Sequence, residues 1–194
     1  MSGVQPDQTL STVVLFSGHM IDAADRETPR FPPESEPLAA AAIEDALSKT
    51  GVRRGDLAIC GGACGGDLLF AEACLAREMR LEIYIPFEET VFLADSVDFA
   101  GGTWRDRYFA IKSRALLHVM PDELGPLQKG ASAYELNNQW MLEKAARFGS
   151  ERIAFICLWN GQWGDGPGGA KHLMDEVRLI TKQVYWLDTR QLWD

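Results

Sequence analysis

Six short apolar runs punctuate the chain, at residues 12–16, 57–60, 81–85, 116–119, 153–158 and 184–187, and each reads as a buried strand. Between most of them lie stretches of helical character, at 37–50, 67–79, 103–115, 132–148 and 170–181. Alternation of this kind predicts an α/β fold, a mostly parallel sheet of about six strands with helices on both faces. The helix ends agree: Pro37 suits a first turn, Gly51 and Gly149 suit stops, and Ser132 with Glu135 forms a capping box. Residues 22–36, with Pro29, Pro32, Pro33 and two arginines, are too proline-rich for helix and predict a long loop after the first strand. Residues 121–131 predict a second connection, between the fourth strand and the capped helix.

At 194 residues and 46% hydrophobic side chains, the chain can bury one substantial core, and a single domain over 1–194 is expected. A net charge of -9 argues against binding duplex nucleic acid or an anionic membrane through bulk electrostatics. Any anionic ligand must then be held by backbone amides and a few placed arginines. Cys60, Cys64, Cys74 and Cys157 lack the second pair or histidine cluster of a zinc site and read as buried reduced thiols, so no metal is expected. The first ten residues lack a basic-then-apolar signal, and no run is long enough to span a bilayer. The expectation is a cytoplasmic protein.

Chemistry concentrates at strand ends. The loop Cys60-Gly61-Gly62-Ala63-Cys64-Gly65-Gly66-Asp67 joins a strand to a helix, and its four glycines would let amides crowd around a phosphate at a helix N-terminus. A second loop, 159–169, carries Gly164, Asp165, Gly166, Gly168 and Gly169 in the same strand-to-helix setting. Two such loops on one sheet suggest one cleft. Asp67 would either cap its helix or face a ribose hydroxyl, and Asp165 would accept from ribose or base or hold its loop by an Asx turn. His19, after Ser17 and Gly18, stands where a ring could touch a ligand, and Arg30 and Arg26 lie within possible reach to offset a phosphate. His118 and His172 read as structural, and Trp104, Tyr108 and Trp140 as core or interface.

The order of these motifs resembles the SLOG superfamily, which contains the DNA-processing protein DprA, the "lonely guy" phosphoribohydrolases and bacterial SLOG-type signalling domains. The resemblance rests on 15–22 after the first strand, 61–67 after the second, Pro86-Phe87 after the third and 164–169 near the end, so it covers nearly the whole chain. It implies a Rossmann-like sheet and a nucleotide or nucleotide-derived ligand across the strand ends, with no required cofactor and a sensor role as the leading function. The ligand-binding residues so implied are Ser17, Gly18, His19, Asp22, Arg30, Gly61, Gly62, Ala63, Cys64, Gly65, Gly66, Asp67, Pro86, Phe87, Gly164, Asp165, Gly166, Gly168 and Gly169. The hydrolases carry Pro-Gly-Gly-x-Gly-Thr-x-x-Glu, whereas here Pro167-Gly168-Gly169 is followed by Ala170, Lys171 and His172, which puts Asp175 or Leu173 at the glutamate position. The alternative is therefore an N-glycosidic hydrolase or transferase using Glu72, Asp165 or Asp175. Related proteins pair through helices, and six tryptophans with helices apolar on more than one face add to the expectation of a homodimer.

Overall fold

A computed structural model describes residues 10–127, 129–162 and 170–193. In chain order its main elements are β1 (Val13–Gly18), α1 (Glu36–Thr50), β2 (Leu57–Cys60), α2 (Gly66–Ala76), β3 (Arg80–Ile85), α3 (Glu89–Ser96) and α4 (Trp104–Lys112). The chain continues through β4 (Leu116–Val119), α5 (Met120–Leu124), α6 (Ala133–Ala146), β5 (Ile153–Trp159), α7 (Ala170–Ile180), β6 (Val184–Asp188) and α8 (Thr189–Leu192). The six strands form one sheet in the order β4-β3-β2-β1-β5-β6, and every pairing is parallel. This is the α/β architecture that the apolar runs predict, consistent with a Rossmann-like fold.

Strand alternation divides the interior into two cores. Val14 and Phe16 of β1 join Ala58, Ile83 and Ile156 under α1, α2 and α4, while Val13 and Leu15 join Ile59, Tyr84 and Phe155 under α6 and α7. Phe16 stacks on Phe70 of α2 with ring centroids 4.7 Å apart, and both are fully buried. Each such side chain contributes about 1.5–3 kcal/mol by leaving water. Trp104, Tyr108 and Trp140 are buried, as are all four cysteines, which are unbridged. At the start of the sheet Asp56 gathers the amides of Ser11, Thr12 and Arg53, fixing where β1 and β2 begin. No helix among the described residues is long and apolar enough to cross a membrane.

Three local details depart from the sequence reading. Helix α2 ends at Ala76 because the amides of Arg77 and Met79 both turn back to the Cys74 carbonyl, freeing the chain to enter β3 at Arg80. Residues 89–96 form α3, a short helix between Pro86 and the Gly101-Gly102 pair, whose two turns are too few to establish a periodicity. The predicted connection at 121–131 begins instead with the helical turn α5, which ends at Gly125.

Candidate functional site

Strand order places a switch point in the middle of the sheet. From β1 the chain moves through α1 to β2 on one side, and later returns through α6 to β5 on the other, so the loops after β1 and β5 depart in opposite directions. Ligands of open α/β sheets collect in the crevice outside the carboxyl ends of the strands at such a point.

His19 ties this crevice together. Its amide donates to the Leu158 carbonyl of β5 at 2.9 Å, its carbonyl accepts the Gly66 amide of α2 at 3.0 Å, and its Nε2 accepts the Asn160 amide at 3.1 Å. The loops after β1, β2 and β5 are thus joined through one buried residue. Asn160 in turn holds the Gln162 amide through its Oδ1 at 3.0 Å, and the Trp159 indole donates to the Gln162 carbonyl at 2.8 Å. Ser17 and Gly18, both half-buried, lead into this junction. Gly164, Asp165, Gly166, Gly168, Gly169 and the side chain of His172 lie outside the described residues.

The glycine loop after β2 departs from the expected phosphate cradle. The Ala63 amide goes to Asp67 Oδ2 at 3.2 Å, the Cys64 amide to the Ser96 carbonyl at 2.9 Å, and the Gly66 amide to His19. Three donors that would have met an anion are committed to the fold. The glycines serve close packing instead: at Gly65, with φ +87°, a Cβ would stand 2.6 Å from the Ile21 amide nitrogen, and at Gly62, with φ +75°, 2.7 Å from Ile83 Cγ2. The first turn of α2 therefore docks directly on the backbone of the loop after β1. Cys64 is buried beneath it, and burial pushes its thiol well above the usual range.

Asp67 neither caps α2 nor lies in solvent. Gly65 occupies the N-cap position, and Asp67 is only 9% exposed, with burial pushing its carboxyl up to about 7 against the pull of the Ala63 amide. A group of this kind at a crevice is a functional candidate on physical grounds.

Asp22 organises the loop after β1. Its Oδ2 accepts the Arg30 and Phe31 amides at 2.7 and 2.8 Å, and its Oδ1 pairs with Arg26 Nε at 3.2 Å. Arg26 is thereby turned to the loop rather than to a phosphate, and Arg30 enters this network through its backbone. Of the acids expected for hydrolysis, Glu72 and Asp175 are among the described residues and lie elsewhere. Glu72 grips Arg107 in a two-pronged pair of 2.7 and 2.6 Å shared with Glu36, on the outer side of α2, and Asp175 is exposed and paired with Lys171.

Pro86 is buried at the end of β3, and the half-buried Phe87 ring meets Tyr134 edge-on at 5.5 Å. Tyr134, from the first turn of α6, also contacts Ser96 Oγ at 2.7 Å and donates to Asp95. Sequence reasoning missed Asn160, Ser96 and Tyr134. The capping box at Ser132 was the one signal available, since it marks the start of a crossover helix, which must lie at the carboxyl ends of parallel strands. No family model and no curated protein sequence matches the chain.

Proposed function

We propose that this crevice binds a nucleotide or nucleotide-derived small molecule, and that the chain serves as a binding domain of sensor type. The supporting observation is the junction at the switch point, where three loops meet through His19 beside a carboxyl that the fold buries and that pairs with no cation among the described residues. With the amides after β2 engaged, the phosphate belongs away from Gly61–Gly66, and the neutral part of the ligand belongs over them.

A second reading has one observation in its favour. A carboxyl titrating near neutrality is what an N-glycosidic hydrolase needs as acid or base, and Asp67 would have that role in place of Glu72 or Asp175. Isothermal titration with NAD and nucleoside monophosphates, with release of free base followed in the same samples, tests both. Binding without base release supports the sensor reading. Base release supports the hydrolase, and no binding of any nucleotide refutes both.

A further inference from the structure

A chain of net charge -9 holds an anion only where a cation is placed for it, and the amides after β2 are already engaged. The short turn α8 carries such a cation. At the end of β6 the Asp188 carboxylate takes Arg190 Nε on Oδ1 at 3.0 Å and Nη2 on Oδ2 at 2.6 Å. Asp188 is buried, and its hydrogen bonds from Arg190 hold its carboxyl below the usual range, whereas the Arg190 side chain is 53% exposed. A buried carboxylate thus fixes the plane of an exposed guanidinium. It uses only one edge of the fork. Nη1 makes no hydrogen bond among the described residues, so Nη1 and the outer hydrogen of Nη2 remain as two parallel donors, the arrangement that meets two oxygens of a phosphate. The Arg190 amide is itself committed to Asp188 Oδ1 at 3.1 Å, so the donor is the side chain and not the end of the helix.

Gly161 is the independent observation that sets this fork on the crevice. It follows Asn160, whose amide meets His19 Nε2, and its φ of +74° favours glycine. A Cβ there would stand 3.1 Å from Arg190 Nη2 and 3.1 Å from Trp186 Cζ2. The loop after β5 therefore runs directly against the guanidinium. Trp186, 41% exposed, is pinned beside it by an indole N–H that donates to the Trp159 carbonyl at 2.9 Å. Just past α8, Trp193 stacks on Phe31 of the loop after β1, with ring centroids 5.3 Å apart. The turn that carries Arg190 is anchored to both loops that diverge at the switch point.

Resting on the reading of the crevice as a nucleotide site, we infer that Arg190 is its phosphate-holding residue: the fork fixed by Asp188 donates from Nη1 and Nη2 to two oxygens of the ligand's phosphate beside Gly161.

The experiment titrates the full chain calorimetrically, at low ionic strength, with AMP, GMP, CMP and UMP and with the four corresponding nucleosides. Wild type, Arg190→Gln and Arg190→Lys are compared, each checked for folding by circular dichroism. Wild type should prefer its nucleotide to the matching nucleoside by about tenfold or more, the size of hydrogen bonds to a charged group. Arg190→Gln should bring that ratio close to unity while leaving nucleoside affinity intact, and Arg190→Lys, which keeps the charge and loses the fork, should fall between. Equal affinity for nucleotide and nucleoside in wild type overturns the inference while leaving the crevice a nucleoside-binding site. So does a ratio that Arg190→Gln retains, or a loss in that variant that is equal for nucleotide and nucleoside. Failure of all eight probes to bind wild type overturns the inference and the nucleotide reading together.

Discussion

Replacing Asp67 by Asn should stabilise the protein, and the gain should grow with pH. Burial raises the folded carboxyl to about 7, against about 3.9 in an unfolded chain. Between those values the unfolded state releases a proton that the folded state keeps, so this group's contribution to stability falls as the pH rises from about 4 to about 7. The full penalty, reached above pH 7, is about 4 kcal/mol at about 1.4 kcal/mol per pKa unit. Asn keeps an oxygen to accept the Ala63 amide and carries no charge to bury. Linkage places about a third of the penalty at pH 5 and nearly all of it at pH 8, so the stability difference between variant and wild type should widen by about 2–3 kcal/mol over that interval. The neighbouring thiols of Cys60, Cys64 and Cys157 do not confuse the comparison, because burial pushes each of them upward, out of this range. Urea denaturation of both proteins at half-unit pH steps measures the difference directly. Parallel stability curves from pH 5 to pH 8 would refute the reasoning, since they would mean that Asp67 titrates alike in the folded and unfolded chains.

Gly65→Ala should cost about 2–3 kcal/mol and lower the melting temperature by about 5–10 °C, because its Cβ would meet the Ile21 amide nitrogen at 2.6 Å on a left-handed backbone; an unchanged melting curve would count against the docking of α2 on the β1 loop. Glu72→Gln should lose about 1 kcal/mol or less, as expected for a partly exposed pair with Arg107, and leave nucleotide affinity unchanged by calorimetry. Asp56→Ala should cost about 2–4 kcal/mol in urea denaturation by stranding the amides of Ser11, Thr12 and Arg53. Burial opposes ionisation of Asp56, but those hydrogen bonds win and hold it below the usual carboxylate range. Its stabilisation is therefore present above about pH 4 and lost as the pH falls through the lower folded value, and hydrogen exchange at Ser11 and Thr12 should accelerate there.

The strands and their alternation with helices were legible in the chain because both are local. A run such as Ile153 to Leu158 is apolar on both faces wherever it is placed, and a Ser132 that accepts the Glu135 amide needs only four consecutive residues. The two-turn helix α3 was not legible, being shorter than the period it would have to display. The candidate site divides in the same way. That glycines crowd the end of β2 is a fact of sequence, but what they do is not. Gly62 and Gly65 admit a side chain and a neighbouring backbone, Ile83 and the loop at Ile21, that lie far away in the chain.

Sequence by itself determined that this protein would build a parallel sheet with helices on both faces and bring the glycine-rich loop after β2 to its carboxyl edge, because hydrophobic period and strand-to-helix order dictate that much. Only the tertiary structure decided which donors remain for a ligand. The Cys64 amide goes to Ser96, 32 positions along the chain, the Asn160 amide goes to His19, and Asp67 is left nine-tenths buried with one oxygen unpaired among the described residues. Hydrogen-bond saturation and desolvation depend on which distant segments meet, and no spacing within a single segment records them.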